Sequence, residues 1–134
     1  MIALLLDTNL LIETPDLTLL QEGVDQARFC TSALCYAELM EGEFSPNPNE
    51  AATAVMQLAG AKALFGEGLP FGTAELSAYR AICVAIQRSD RSLTRARRLD
   101  MMIAATALAN GLTLATRNVD DFAAVREVVP VIRL

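Results

Sequence analysis

Histidine is absent from all 134 residues, and lysine occurs only as Lys62. The first absence removes the usual zinc ligand, the Ser-His triad and the paired-imidazole route to RNA cleavage. The second, with no glycine-rich phosphate loop near Lys62, excludes a P-loop nucleotidase. Aromatics make up only 5% of the chain, so the expected core is rich in alanine and leucine. Cys30, Cys35 and Cys83 are odd in number and lack CxxC spacing, which reads as buried thiols in a reducing compartment. No apolar run approaches the ~20 residues of a membrane span. The N-terminus lacks the basic start and cleavage signature of a signal peptide. A soluble cytoplasmic protein is the expectation.

What is present narrows the field further. A hydrophobic content of 53% argues against disorder, and the length suits one domain over residues 1–134 with a single sizeable core. A formal net charge of −5 means that any contact with phosphates needs a local basic patch. The donors left for catalysis are the oxygens of Asp, Glu, Asn, Ser and Thr, which are ligands for Mg²⁺ and Mn²⁺.

The apolar run 2–6 stops at Asp7, as a doubly covered parallel strand would. Thr8 and Asn9 open a short helix to Glu13, ended by Pro15, and Asp16 is placed to cap a second helix carrying Leu17, Leu20 and Val24. Residues 27–31 suit a strand. Thr31 or Ser32 caps a helix to about Glu43, with Leu34, Glu38 and Gly42 on one stripe. SPNPNE is a break, residues 51–64 are helical, GEGLPFG is a second break and 69–71 suit a short strand. Thr73 caps a helix to about Arg88, and another spans about 94–110 until Gly111 stops it. Strands are expected at 112–115 and 128–132. Short apolar strands separated by helices give an α/β fold, a mostly parallel sheet with helices on both faces.

Asp7, Glu38 and Asp100 each border an apolar stretch, in IALLLDTN, ALCYAELMEG and RRLDMMIAATALANG. Carboxylates held close together in such settings are costly unless a cation neutralises them. Asp7 and Thr116 both follow strands, at the sheet edge where open α/β folds bind ligands. Each acid also has an ordinary explanation: Asp7 as a helix cap, Glu38 as a solvated charge, Asp100 as a helix-dipole partner, Asp120 or Asp121 as a turn cap. Their joint arrangement favours a site. Arg88, Arg91, Arg95, Arg97 and Arg98 precede Asp100 as either a solvated helix start or a phosphate-contacting rim, with Arg97 or Arg98 also able to pair with nearby acids.

The segments LLLDTNLLIE, YAELMEG and RRLDMMIAATALANGLTLATRNVDDF resemble a PIN domain, specifically a VapC-type toxin of bacterial toxin–antitoxin pairs, over essentially the whole chain. The resemblance implies a three-layer PIN-like fold and a Mg²⁺- or Mn²⁺-dependent endoribonuclease. Its implied partners are RNA, a cognate antitoxin and a second copy of the chain in a homodimer. Asp7, Glu38 and Asp100 fall on the family's first three acidic positions, with Thr8, Asn9 and Thr116 as supporting residues. The fourth acidic position is Asn118, a departure; its amide oxygen binds without charge, and Asp121 would supply the missing negative charge. Arg95, Arg97, Arg98 and Arg117 are the expected RNA contacts.

Hydrolysis by water with a 5′-phosphate product is expected, because no imidazole is available to activate the 2′-hydroxyl. An inactive PIN-like module that binds RNA or protein is the alternative. A response-regulator receiver needs an acidic pair and a lysine after the last strand, and a haloacid-dehalogenase-type phosphatase needs Asp-x-Asp. The chain has neither.

Overall fold

Five consecutive apolar residues are satisfied only by cover on both faces, and the strand they form lies inside the sheet. The computed structural model describes residues 2–13 and 24–134. In it β1 (Ile2–Leu6) pairs in parallel with β2 (Val24–Thr31) on one side and β3 (Thr113–Thr116) on the other, and β4 (Val131–Arg133) pairs in parallel with β3. The order is β2-β1-β3-β4, so the sheet is entirely parallel. Leu4, Leu5, Leu6, Leu114 and Ala115 on its two middle strands are fully buried. Helices α1 (Thr8–Ile12), α2 (Ala33–Glu41), α3 (Pro48–Phe65), α4 (Thr73–Arg88) and α5 (Arg98–Ala109) complete a three-layer PIN-like α/β architecture.

Strand order and one small-residue helix shape the sheet's carboxyl edge. The connection leaving β1 leads to β2, whereas the one leaving β3 leads to β4 on the other side. The carboxyl ends of β1 and β3 therefore flank a topological switch point, where such sheets open a crevice. Helix α5 is buried along Met101, Ile103, Ala104, Ala105, Thr106 and Ala107. Its small residues let it lie close to its neighbours, chiefly α4.

Several boundaries differ from the sequence expectation. The helix expected after Asp16 lies outside the described residues, except that Val24 opens β2 instead of closing a helix. SPNPNE is only half a break: the Asn47 side chain accepts from Asn49 N at 2.9 Å, and Pro48 starts α3. Proline suits that position because its missing N–H has no helical partner there. Thr73 is the first residue of α4 and not its cap; Gly72 precedes it, its N–H donating to buried Glu75 Oε1 at 2.9 Å. Residues 69–71 form no strand, only a bridge between Leu69 and Ser32. The helix expected from 94 begins as a tight 3-10 turn, Arg95–Arg97, before α5. Gly111 does stop α5, with a left-handed φ of 64°.

The stripe through Leu34, Glu38 and Gly42 has the expected consequence at its end. A Cβ on Gly42 would meet the Ala54 Cβ at 2.9 Å, so glycine is what lets α3 pack this close. Tyr36 ties the two helices from the other side, donating to Gly66 O at 2.7 Å. Cys35 is buried with its thiol pushed up to about 11 by desolvation, while Cys30 and Cys83 are half-buried.

Candidate active site

The site begins with backbone pairing. Asp7 N donates to Ala115 O at 2.9 Å, which fixes the residue after β1 against the end of β3. Asp7 then caps α1, its Oδ1 accepting from Thr8 N at 2.9 Å. Its other oxygen has a different use. Oδ2 accepts from Thr116 Oγ1 at 2.8 Å and from Asn9 Nδ2 at 3.4 Å. Asn9 also donates to Thr116 Oγ1 at 3.3 Å, and its own Oδ1 accepts from Arg117 N at 3.3 Å. The capping explanation for Asp7 is therefore correct and incomplete.

Glu38 arrives from the second turn of α2, and Thr8 Oγ1 donates to its Oε1 at 2.8 Å. Asp100 comes from the first turn of α5. Burial is the largest cause raising the pKa of Asp7, Glu38 and Asp100 above the usual carboxylate range. For Asp7, the hydrogen bonds from Thr116 and Thr8 work against that rise. Asp100 is pushed up to about 6, first by desolvation and then by the negative charges of Asp7, Glu38 and Asp121, with Arg97 opposing. Residues 7, 38 and 100 thus share one electrostatic field.

Among the described residues no group of three His, Cys, Asp or Glu side chains is drawn together tightly enough to hold a metal ion by itself. The fit to a hard dication rests on donor chemistry and mutual repulsion: the donors are oxygens, and a cation is what relieves like charges gathered at a half-buried edge.

The remaining expected residues divide. Asn118 is exposed, and its backbone serves the site, N–H donating to Thr116 Oγ1 at 3.1 Å. Asp121 supplies negative field to Asp7 and Asp100, and pairs with Arg97 Nη1 at 2.6 Å. Arg97 also lies 4.0 Å from Asp100. Arg95 and Arg98 are exposed and in no ion pair among the described residues. Arg117 is committed to Glu13, pairing with its carboxylate and donating to its carbonyl at 2.8 Å. The Arg97–Asp121 pair joins residues with no regular sequence spacing, so no motif announces it.

Thr116 gives a direct test of this wiring. It is fully buried, and Thr116→Val keeps its volume while removing the strongest hydrogen bond to Asp7 Oδ2. The variant should lose about 1–2 kcal/mol of stability in urea unfolding at neutral pH. The Asp7 carboxyl should titrate still higher by NMR.

The fold and its acid-lined edge define an α/β protein with an oxygen-donor crevice at a topological switch point. The chain belongs to the PIN-domain family, whose sequence model matches residues 4–128. Proteins of that family are generally nucleases and generally use divalent metal ions. Among solved structures, the chain is similar to VapBC-5 of Mycobacterium tuberculosis, a member of the VapBC family of toxin–antitoxin systems. The TM-score is 0.76 and the identity 25%, over 98% of this chain and 96% of that one. FitAcB from Neisseria gonorrhoeae is similar at TM-score 0.72 and 28% identity, over 96% of each chain. DNA-bound VapBC from Salmonella typhimurium shares the fold at TM-score 0.72 and 22% identity, over 99% of this chain and 98% of that one. No curated protein matches the sequence.

Proposed function

We propose that residues 1–134 form one PIN domain acting as a Mg²⁺- or Mn²⁺-dependent endoribonuclease, the toxin of a toxin–antitoxin pair. The observation that carries this reading is the convergence of Asp7, Glu38 and Asp100 on one sheet edge, where burial first, and then the charges of Asp7 and Glu38, raise Asp100 to about 6. A solvated helix charge or a simple cap would not feel two other carboxylates.

Asp7 and Asp100 would hold the ion, with Asp121 adding charge and Asn118 an amide oxygen. When bound, the dication supplies Lewis acidity, lowering the pKa of water and neutralising phosphoryl oxygens as charge builds. Thr116 and Asn9 orient the Asp7 carboxylate, so its lone pairs are fixed before substrate arrives. Thr8 holds one oxygen of Glu38 and leaves the other to take the proton of the attacking water. The raised pKa of Glu38 makes it a stronger base than an exposed glutamate. Arg97, exposed at the rim, is placed to meet the phosphate backbone.

The partner proposal rests on surface chemistry and likeness together. Phe44, Met56 and Leu64 expose most of their apolar area beside or along α3, and Leu76 does so on α4. Such faces suit a cognate antitoxin and a second protomer in a homodimer. No helix among the described residues is long and apolar enough to cross a membrane, which is compatible with the cytoplasmic location we propose.

The product ends test the chemistry. RNA cleaved by the purified protein with Mg²⁺ should carry 5′-phosphate and 3′-hydroxyl termini. Fragments ending in a 2′,3′-cyclic phosphate would overturn water as the nucleophile.

A further inference from the structure

A cavity of about 250 Å³ adjoins the carboxylate cluster, between the end of α4, the start of α5 and the turn that joins them. Its floor is apolar, with Ile86 from α4, Met101 from α5 and Leu93 from the turn. Its rim is charged, with Arg91, Arg97 and Asp121. Arg97 belongs to both places: it lines the cavity, pairs with Asp121 at 2.6 Å and lies 4.0 Å from Asp100. Asp90 adopts a left-handed φ of 60°, turning the chain back after α4 so that Arg91 lines the same cavity as Leu93.

We propose that this cavity is a subsite for one nucleotide of the RNA strand, its apolar floor receiving a base and Arg91 and Arg97 receiving the linking phosphate. The inference rests on the nuclease reading above and deepens it. Size favours a single nucleotide, since cavities for drug-sized ligands run from ~300 to 1,000 Å³. Charge favours a phosphate: two guanidinium groups face one acid here, in a chain whose net charge is −5. Arg91 makes no ion pair among the described residues, so its cation is not already neutralised by a carboxylate. Arg97 is 45% exposed, so exchanging its carboxylate partner for a phosphate costs little. Guanidinium forks match phosphate oxygens in a two-point geometry. No aromatic ring among the described residues lines the cavity, so the base is held by enclosure between aliphatic side chains and not by stacking. A strand anchored there presents its next phosphodiester toward Asp100.

The test uses 5′-UMP and 5′-AMP as probes of the whole chain in EDTA, where cleavage plays no part. Saturable NMR shifts are expected at Leu93, Met101 and Ala124, a further lining residue. Ala124→Leu, which fills the cavity, should abolish them. In RNA cleavage with Mg²⁺, Arg91→Glu should raise KM about tenfold with kcat unchanged within about twofold. Arg91 is exposed, so this variant keeps the test decisive if Ala124→Leu fails to fold. An absence of saturable shifts with both nucleotides, or an unchanged KM in Arg91→Glu, overturns the subsite. Shifts in a protein that cleaves no RNA keep the subsite and overturn the nuclease reading; active cleavage without shifts does the reverse.

Discussion

Asp100→Asn is expected to lower RNA cleavage by about 10²–10³-fold while making the metal-free protein more stable at neutral pH. The two effects have one cause. In the folded chain Asp100 is pushed up from 3.8 to about 6, first by burial and then by Asp7, Glu38 and Asp121. Between those values the folded state holds a proton that the unfolded chain has released. Stability from this group is therefore greatest below the unfolded pKa and declines as pH rises toward about 6. Asparagine resembles the protonated acid and escapes that loss. The carboxylate is 29% exposed and screened by solvent, so the gain should be about 1–2 kcal/mol at pH 7. Urea unfolding in EDTA should show the advantage vanishing below about pH 4, where wild type is protonated as well. Equal stability of the two proteins at pH 7 would refute the raised pKa of Asp100. Full cleavage by the variant would remove Asp100 from the proposed machinery.

Gly68→Ala should destabilise the fold by about 2–4 kcal/mol in urea unfolding, although it adds one methyl group in a loop. A Cβ at this position would stand 2.4 Å from Ala33 N, 2.7 Å from Ala33 Cα and 2.8 Å from Ser32 C. These are backbone atoms at the start of α2 and cannot turn aside. The same approach is held by two hydrogen bonds, Leu69 N to Thr31 O and Ala33 N to Leu69 O, each 2.9 Å. The variant must break this bridge or shift α2, and α2 carries Glu38, so cleavage should fall with stability. Gly60→Ala is the contrast. No atom of the described residues lies within 4 Å of a Cβ there, inside α3. That change should add about 0.5–1 kcal/mol through helix propensity. If the two alanine variants behave alike, the close approach at Gly68 is not what the loop depends on.

Asp7, Glu38 and Asp100 are legible in the sequence because each interrupts an apolar stretch, and the period of that stretch assigns the acid to a strand end or a helix face. β1 and β3 follow from short apolar runs that only a covered parallel strand can bury, although β3 lies one residue further along than the run suggests. Pro48 looks like a break in the sequence and is a helix start in the fold, because proline signals both and only the Asn47 cap beside it decides which. Thr73 has the residue type of a cap, yet the Gly72–Glu75 hydrogen bond fills that role one residue earlier.

Composition and periodicity by themselves determined the aliphatic α/β class and the oxygen donor set, because burial and ligand chemistry are properties of local residue types; the likeness to PIN domains came from the segments around Asp7, Glu38 and Asp100. Tertiary structure alone decided that Thr116 would orient Asp7 across 109 positions, that Arg97 would pair with Asp121 and that Gly68 must stay bare. Those depend on which distant segments meet and at what spacing, and non-local packing leaves no regular interval in the chain.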